Sequence, residues 1–142
     1  MAQRKIGRRC VGVMLLLGVM LLSVGCITKV QLTDKIKDLE FTVMEKEAIP
    51  KEVKEAILKN QKSPFHLTYS NQGELYIVEG YGEKPQSGYS VKVTELYETA
   101  EAIYIHTELD GPPWEEETKE VTTYPYIVVK TQDIGKPVRF HN

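Results

Sequence analysis

The spacing of apolar positions changes three times along this chain. From Val11 to Val24 almost every side chain is apolar, a run with no polar face. Behind Pro50, which suits the first turn of a helix, Val53, Ala56, Ile57 and Asn60 recur at helical spacing, with Lys and Glu on the opposite face. That predicts one short amphipathic helix ending near Ser63-Pro64, because the residue before a proline is pushed out of helical geometry. From Phe65 onward the period shortens to two. Strands are predicted at Phe65–Tyr69 and Leu75–Glu79, joined by the turn Ser70-Asn71-Gln72-Gly73, then at Tyr89–Val93, Ala102–Leu109, Tyr124–Lys130 and Val138–Phe140. Tyr89, Val91 and Val93 face inward in this reading, and Ser90, Lys92 and Thr94 outward. Phe41–Met44 also has strand chemistry. Runs of strands after one helix predict an α+β domain that is mostly antiparallel β, a sandwich-like or open barrel-like sheet with one short N-terminal helix.

The apolar run at the start is an address rather than part of that domain. Arg4, Lys5, Arg8 and Arg9 precede it, giving the charged and apolar regions of a secretory signal. Its 14 residues make about 21 Å of helix, short of the roughly 30 Å hydrocarbon layer. Leu22-Ser23-Val24-Gly25-Cys26 resembles a bacterial lipobox, the signal for cleavage and acylation of lipoproteins. The resemblance implies that Cys26 becomes the new N-terminus and carries diacylglycerol, whose two chains suffice for stable anchoring where one is marginal. The expected organisation is a signal peptide over 1–25, a membrane-proximal tether over 26–40 and a β-rich domain over 41–142, held outside the cytoplasm at the bacterial membrane. The chain has 18 basic and 20 acidic residues, but removal of the signal leaves a domain of net charge −6, which disfavours nucleic acid as a partner. Only Cys10 and Cys26 carry thiols, so the processed domain has none free for disulfides, redox chemistry or thiolate metal sites.

Three stretches carry candidate chemistry. Gly80-Tyr81-Gly82-Glu83-Lys84-Pro85-Gln86-Ser87-Gly88-Tyr89 links two strands by a longer route than a tight hairpin needs. Its glycines and Pro85 allow a fixed, preordered shape, which lowers the entropy lost on binding. Tyr81, Gly82, Lys84, Pro85, Gly88 and Tyr89 are therefore candidate partner contacts. Asp110-Gly111-Pro112-Pro113-Trp114-Glu115-Glu116-Glu117 holds the single Trp between stiffening prolines and an acidic run, a second candidate contact through Trp114. Tyr124 and Tyr126 are a third. His106, Glu108 and Asp110 alternate along one strand and so share a face, the basis of an alternative reading as a small surface hydrolase or metal-dependent enzyme. The chain has no Gly-x-Ser-x-Gly elbow, no Walker-type phosphate loop and no His-Glu-x-x-His. No cofactor is expected beyond the lipid on Cys26.

Gly82-Glu83-Lys84-Pro85-Gln86-Ser87-Gly88-Tyr89-Ser90-Val91, with Tyr124-Pro125-Tyr126-Ile127-Val128-Val129-Lys130 and the terminal Pro137-Val138-Arg139-Phe140, resembles the C-terminal domain of the PrcB family, named for a subunit of a surface protease complex. Gln86-Ser87-Gly88-Tyr89 stands where that family more usually has Thr-Gly-Gly-Tyr. The resemblance implies a non-catalytic, extracytoplasmic accessory domain, often on a lipoprotein, whose partner is another extracytoplasmic protein such as a protease.

Overall fold

The computed structural model describes residues 34–141. The signal segment and Cys26 lie outside the described residues. Two four-stranded sheets form the domain. In one, β1 (Lys35–Asp38), β5 (Ser90–Thr99), β6 (Ile103–Asp110) and β8 (Val138–His141) lie in the order β1-β5-β6-β8; in the other, β2 (Thr42–Val43), β7 (Tyr126–Gln132), β4 (Glu74–Tyr81) and β3 (Pro64–Asn71) lie in the order β2-β7-β4-β3. A short 3-10 turn at Lys46–Ala48 precedes the helix α1 (Lys51–Asn60).

The apolar alternation explains the layering. Leu75 and Ile77 of β4 and Ile127 and Val129 of β7 meet Leu96, Ile103 and Ile105 of the facing sheet, so this cluster is the interior of a sandwich. On the other face of β4 and β7, Val78 and Val128 pack against Ile49 and the α1 stripe Val53 and Ile57. These two strands are covered on both sides, which is why they read as nearly continuous apolar runs. The β3–β4 hairpin turns on Gln72 and Gly73, both with positive φ (51° and 79°), the twist a two-residue hairpin requires. In β5 a bulge between Val93 and Glu95 shifts the register against β6.

The molecule is mostly β, with antiparallel pairing throughout except that β8 lies parallel to β6. Of the two expected arrangements the sandwich is the one present, and the sheets form no closed barrel. Two expectations need correction. The helix is where the spacing placed it, but it is not N-terminal, because β1 and β2 come before it. Residues 35–38, read as tether, form β1, which pairs with β5 from Lys35↔Thr99 to Asp38↔Tyr97. Every residue of β1 is exposed, so backbone bonds rather than side-chain burial hold it, and no hydrophobic pattern announces it.

Candidate functional site: a tyrosine-lined groove

β4 and β6 end, and β5 and β7 begin, at the same pole of the sandwich, so the 82–89 and 111–125 connections leave it side by side. Hydrogen bonds lace them together. Lys84 and Thr123 exchange backbone bonds of 2.8 and 2.9 Å. The Thr123 hydroxyl donates to the Gln86 carbonyl at 2.8 Å. Ser87 N–H donates to Lys119 O at 3.0 Å, and Lys119 N–H returns a bond to Ser87 Oγ at 2.9 Å. Gly88 has φ +96°, and a Cβ there would stand 2.6 Å from Pro112 Cβ, so only glycine allows this approach. The 82–89 loop is thus tied along its length to the second loop.

Between these loops and α1 runs a groove of about 710 Å³, a size typical of ligand sites. Ser87, Gly88 and Tyr89 form one wall, Thr123 to Tyr126 the floor, and Ile57 and Leu58 of α1, with Gln61 just beyond its end, the other wall. A shallower hollow of about 320 Å³ continues beyond Tyr124–Tyr126 over Val43, Met44, Ile49 and Val91. Leu58 (67% exposed) and Val43 (53% exposed) are thus apolar residues left in solvent along one continuous surface. Lys46, Glu47 and Lys54 mark the rim, where Lys54 Nζ donates to the Glu47 carbonyl at 3.3 Å. Burial pushes the Tyr126 phenol above its ordinary value of 10, and the nearby Glu47 charge adds to the shift, so the groove presents a neutral hydroxyl.

Of the residues picked out by sequence, Gly88, Tyr89, Tyr124 and Tyr126 come together in this groove. The others do not. Tyr81 is not a loop residue; it closes β4 and turns toward the sandwich interior, its hydroxyl 2.6 Å from Thr107 Oγ1. Gly82, at φ +76°, shapes the base of the loop: a Cβ there would stand only 3.0–3.2 Å from Ser63 and Pro64. Lys84 acts through its backbone bridge, and Pro85 is exposed. Trp114 stands 90% exposed on the 111–125 connection, outside the groove. His106, Glu108 and Asp110 do share the outward face of β6, but Lys92 pairs with both carboxylates at 3.2 and 3.1 Å, and His106 Nδ1 lies 2.7 Å from Thr94 Oγ1. Among the described residues, no group of three or more His, Cys, Asp or Glu side chains is placed to hold a metal ion.

Two features escaped the sequence reading. The α1 wall is one, signalled only by Leu58 lying off the apolar stripe. The other is a polar chain inside the sandwich. Glu79 is 1% exposed and accepts bonds from Thr107 Oγ1 at 2.6 Å and from His66 Nε2 at 3.1 Å. Because Thr107 gives its proton to Glu79, the Tyr81 hydroxyl donates to Thr107. The His66 ring stacks on Phe140 at 4.1 Å, tying the β3 edge to β8. Its signal was the inward alternation Leu75, Ile77, Glu79, Tyr81, with a carboxylate in an apolar series.

The fold is a small β sandwich with a groove at one pole. Residues 75–132, from β4 to β7 and including both groove loops, match the PrcB C-terminal family model, so the resemblance seen in the sequence holds for this segment. The match leaves out β1–β3, α1 and β8, and with them the helical wall of the groove. Comparison with curated proteins and with solved structures gave no match.

Proposed function

We propose that this chain is a non-catalytic lipoprotein, anchored to the bacterial membrane through diacylglycerol on Cys26, whose domain binds another extracytoplasmic protein in the tyrosine-lined groove. Its role is that of an accessory subunit of a protease complex. The observation that carries this reading is the groove itself, an apolar channel whose walls are fixed before any partner arrives. Fixed walls leave little ordering cost, and tyrosines give large contact area with few rotatable bonds. The family match supports the protease-complex setting, and the lipobox-like sequence at Cys26 supports the anchor.

The test is capture of the partner from intact cells by the wild type and by Tyr89→Ala and Tyr124→Ala. Truncating an interface aromatic at the centre of a site costs roughly 2 kcal/mol or more, about thirtyfold in affinity. Both variants should lose the partner while keeping the fold. Unchanged capture by both variants overturns the groove assignment. Separately, Cys26→Ala should abolish fatty-acid labelling and release the protein from the membrane fraction.

A further inference from the structure

The sandwich has four edge strands, and three are blunted against further pairing. β1 has four residues, Lys35, Lys37 and Asp38 among them, and an irregular register. β2 has two residues, and β8 has four, including Arg139. β3 differs. It is eight residues long, pairs with β4 in unbroken register, contains no Lys, Arg, Asp or Glu, and has proline only at its first position. Edge strands ordinarily carry charge, bulges, proline or brevity to prevent pairing with another chain, and β3 has almost none of these.

The hairpin fixes which groups it offers. With a two-residue turn at Gln72-Gly73, Asn71 and Glu74 form the first hydrogen-bonded pair, so Asn71, Tyr69, Leu67 and Phe65 bond to β4. His66, Thr68 and Ser70 then point their N–H and C=O groups outward, and no described residue pairs along that edge. Phe65, Leu67 and Tyr69 lie half-buried on the α1 side of the strand.

We propose that β3 pairs antiparallel with β3 of a second copy, about a two-fold axis at Thr68, joining two sheets into one of eight strands. In this register Thr68 faces the second copy's Thr68, and His66 faces its Ser70. Each such pair exchanges two backbone bonds, and Pro64 falls outside them. Leu67 lies against the second copy's Tyr69 and the reverse, an aliphatic–aromatic cross-strand contact made twice. The uncharged strand places no like charges opposite each other, so it is complementary to itself, as an isologous interface requires. Antiparallel pairing sends the two groove poles in opposite directions, which keeps both grooves open.

The experiment is sedimentation of the full chain in mild detergent over a concentration series. Wild type should be a dimer. Thr68→Lys sets a lysine against its own copy on an exposed position and should weaken the dimer roughly tenfold or more with unchanged circular dichroism. Ser70→Lys, also exposed, sets a lysine against the second copy's His66 at both ends of the register and should weaken the dimer likewise if Thr68→Lys fails to fold. Thr68→Cys should form a disulfide-linked dimer under mild oxidation beyond any seen in wild type treated alongside. A wild type that stays monomeric at its highest soluble concentration overturns the proposal and leaves the edge to a strand of another protein. A dimer that persists in both lysine variants, without the Thr68→Cys cross-link, also overturns it.

Discussion

Glu79 occupies the third inward position of β4, after Leu75 and Ile77, where an aliphatic side chain would ordinarily extend the core. A buried carboxylate persists only when its lone pairs are filled, and here Thr107 and His66 fill them while Tyr81 completes the chain. Thr107→Val keeps the shape but strands Glu79 Oε2 and the Tyr81 hydroxyl, and should cost about 1–3 kcal/mol in urea unfolding. Glu79→Leu combined with Thr107→Val should recover much of that loss, because an apolar pair leaves only the Tyr81 hydroxyl and His66 to find water. At Gly88, alanine would meet Pro112 in a backbone conformation that side chains avoid. Gly88→Ala should therefore destabilise by about 1–3 kcal/mol and weaken partner binding by displacing Tyr89. The sequence showed that a glycine loop was present and that tyrosines flanked it. It could not show that Tyr81 and Tyr89, eight residues apart, face opposite environments, because that depends on where β4 ends.

At the scale of elements, α1 has two separable duties. Ile57 is 3% exposed and packs on Val78 and Val128, whereas the next residue, Leu58, lines the groove in solvent. Ile57→Ala should cost about 2–5 kcal/mol of stability. Leu58→Ala should change stability by no more than about 0.5 kcal/mol and still impair binding. The connection from β7 to β8 is pinned electrostatically. Lys136 Nζ donates to Glu98 Oε1 at 2.6 Å and to Thr99 O at 2.7 Å, and this bond, aided by Lys37, holds the Glu98 carboxyl below its ordinary value of 4.5. The Gly135 N–H likewise holds Asp133 below its ordinary range. Depressed carboxyl values mean that the folded state binds fewer protons, so this stabilisation is present above the ordinary carboxylate range and is lost as pH falls through the folded values. Denaturation followed downward from pH 5 should steepen in wild type and be shallower in Lys136→Met. The helix and six of the eight strands were legible because burial stamps a period on them. β2 was legible by composition alone, and β1, exposed along its whole length, left no trace in the pattern.

Across the whole molecule, what the sequence could not supply was adjacency. The groove needs the 82–89 loop, Tyr124–Tyr126 and α1 at one pole, and that convergence follows from the strand order of two sheets rather than from any local spacing. Tyrosines at 124 and 126 were visible; the helix opposite them was not. The central claim is that this groove is where a second, extracytoplasmic protein docks. Site-specific photo-cross-linking in intact cells tests it most directly, with the photoreactive residue placed at Leu58 or Tyr124 in the groove and, for comparison, at the exposed Glu95 on the facing sheet. The account predicts one discrete heterologous adduct, a secreted or surface protein, from both groove positions and none from Glu95. Equal yields of that adduct from all three positions, or no adduct from either groove position, would contradict it.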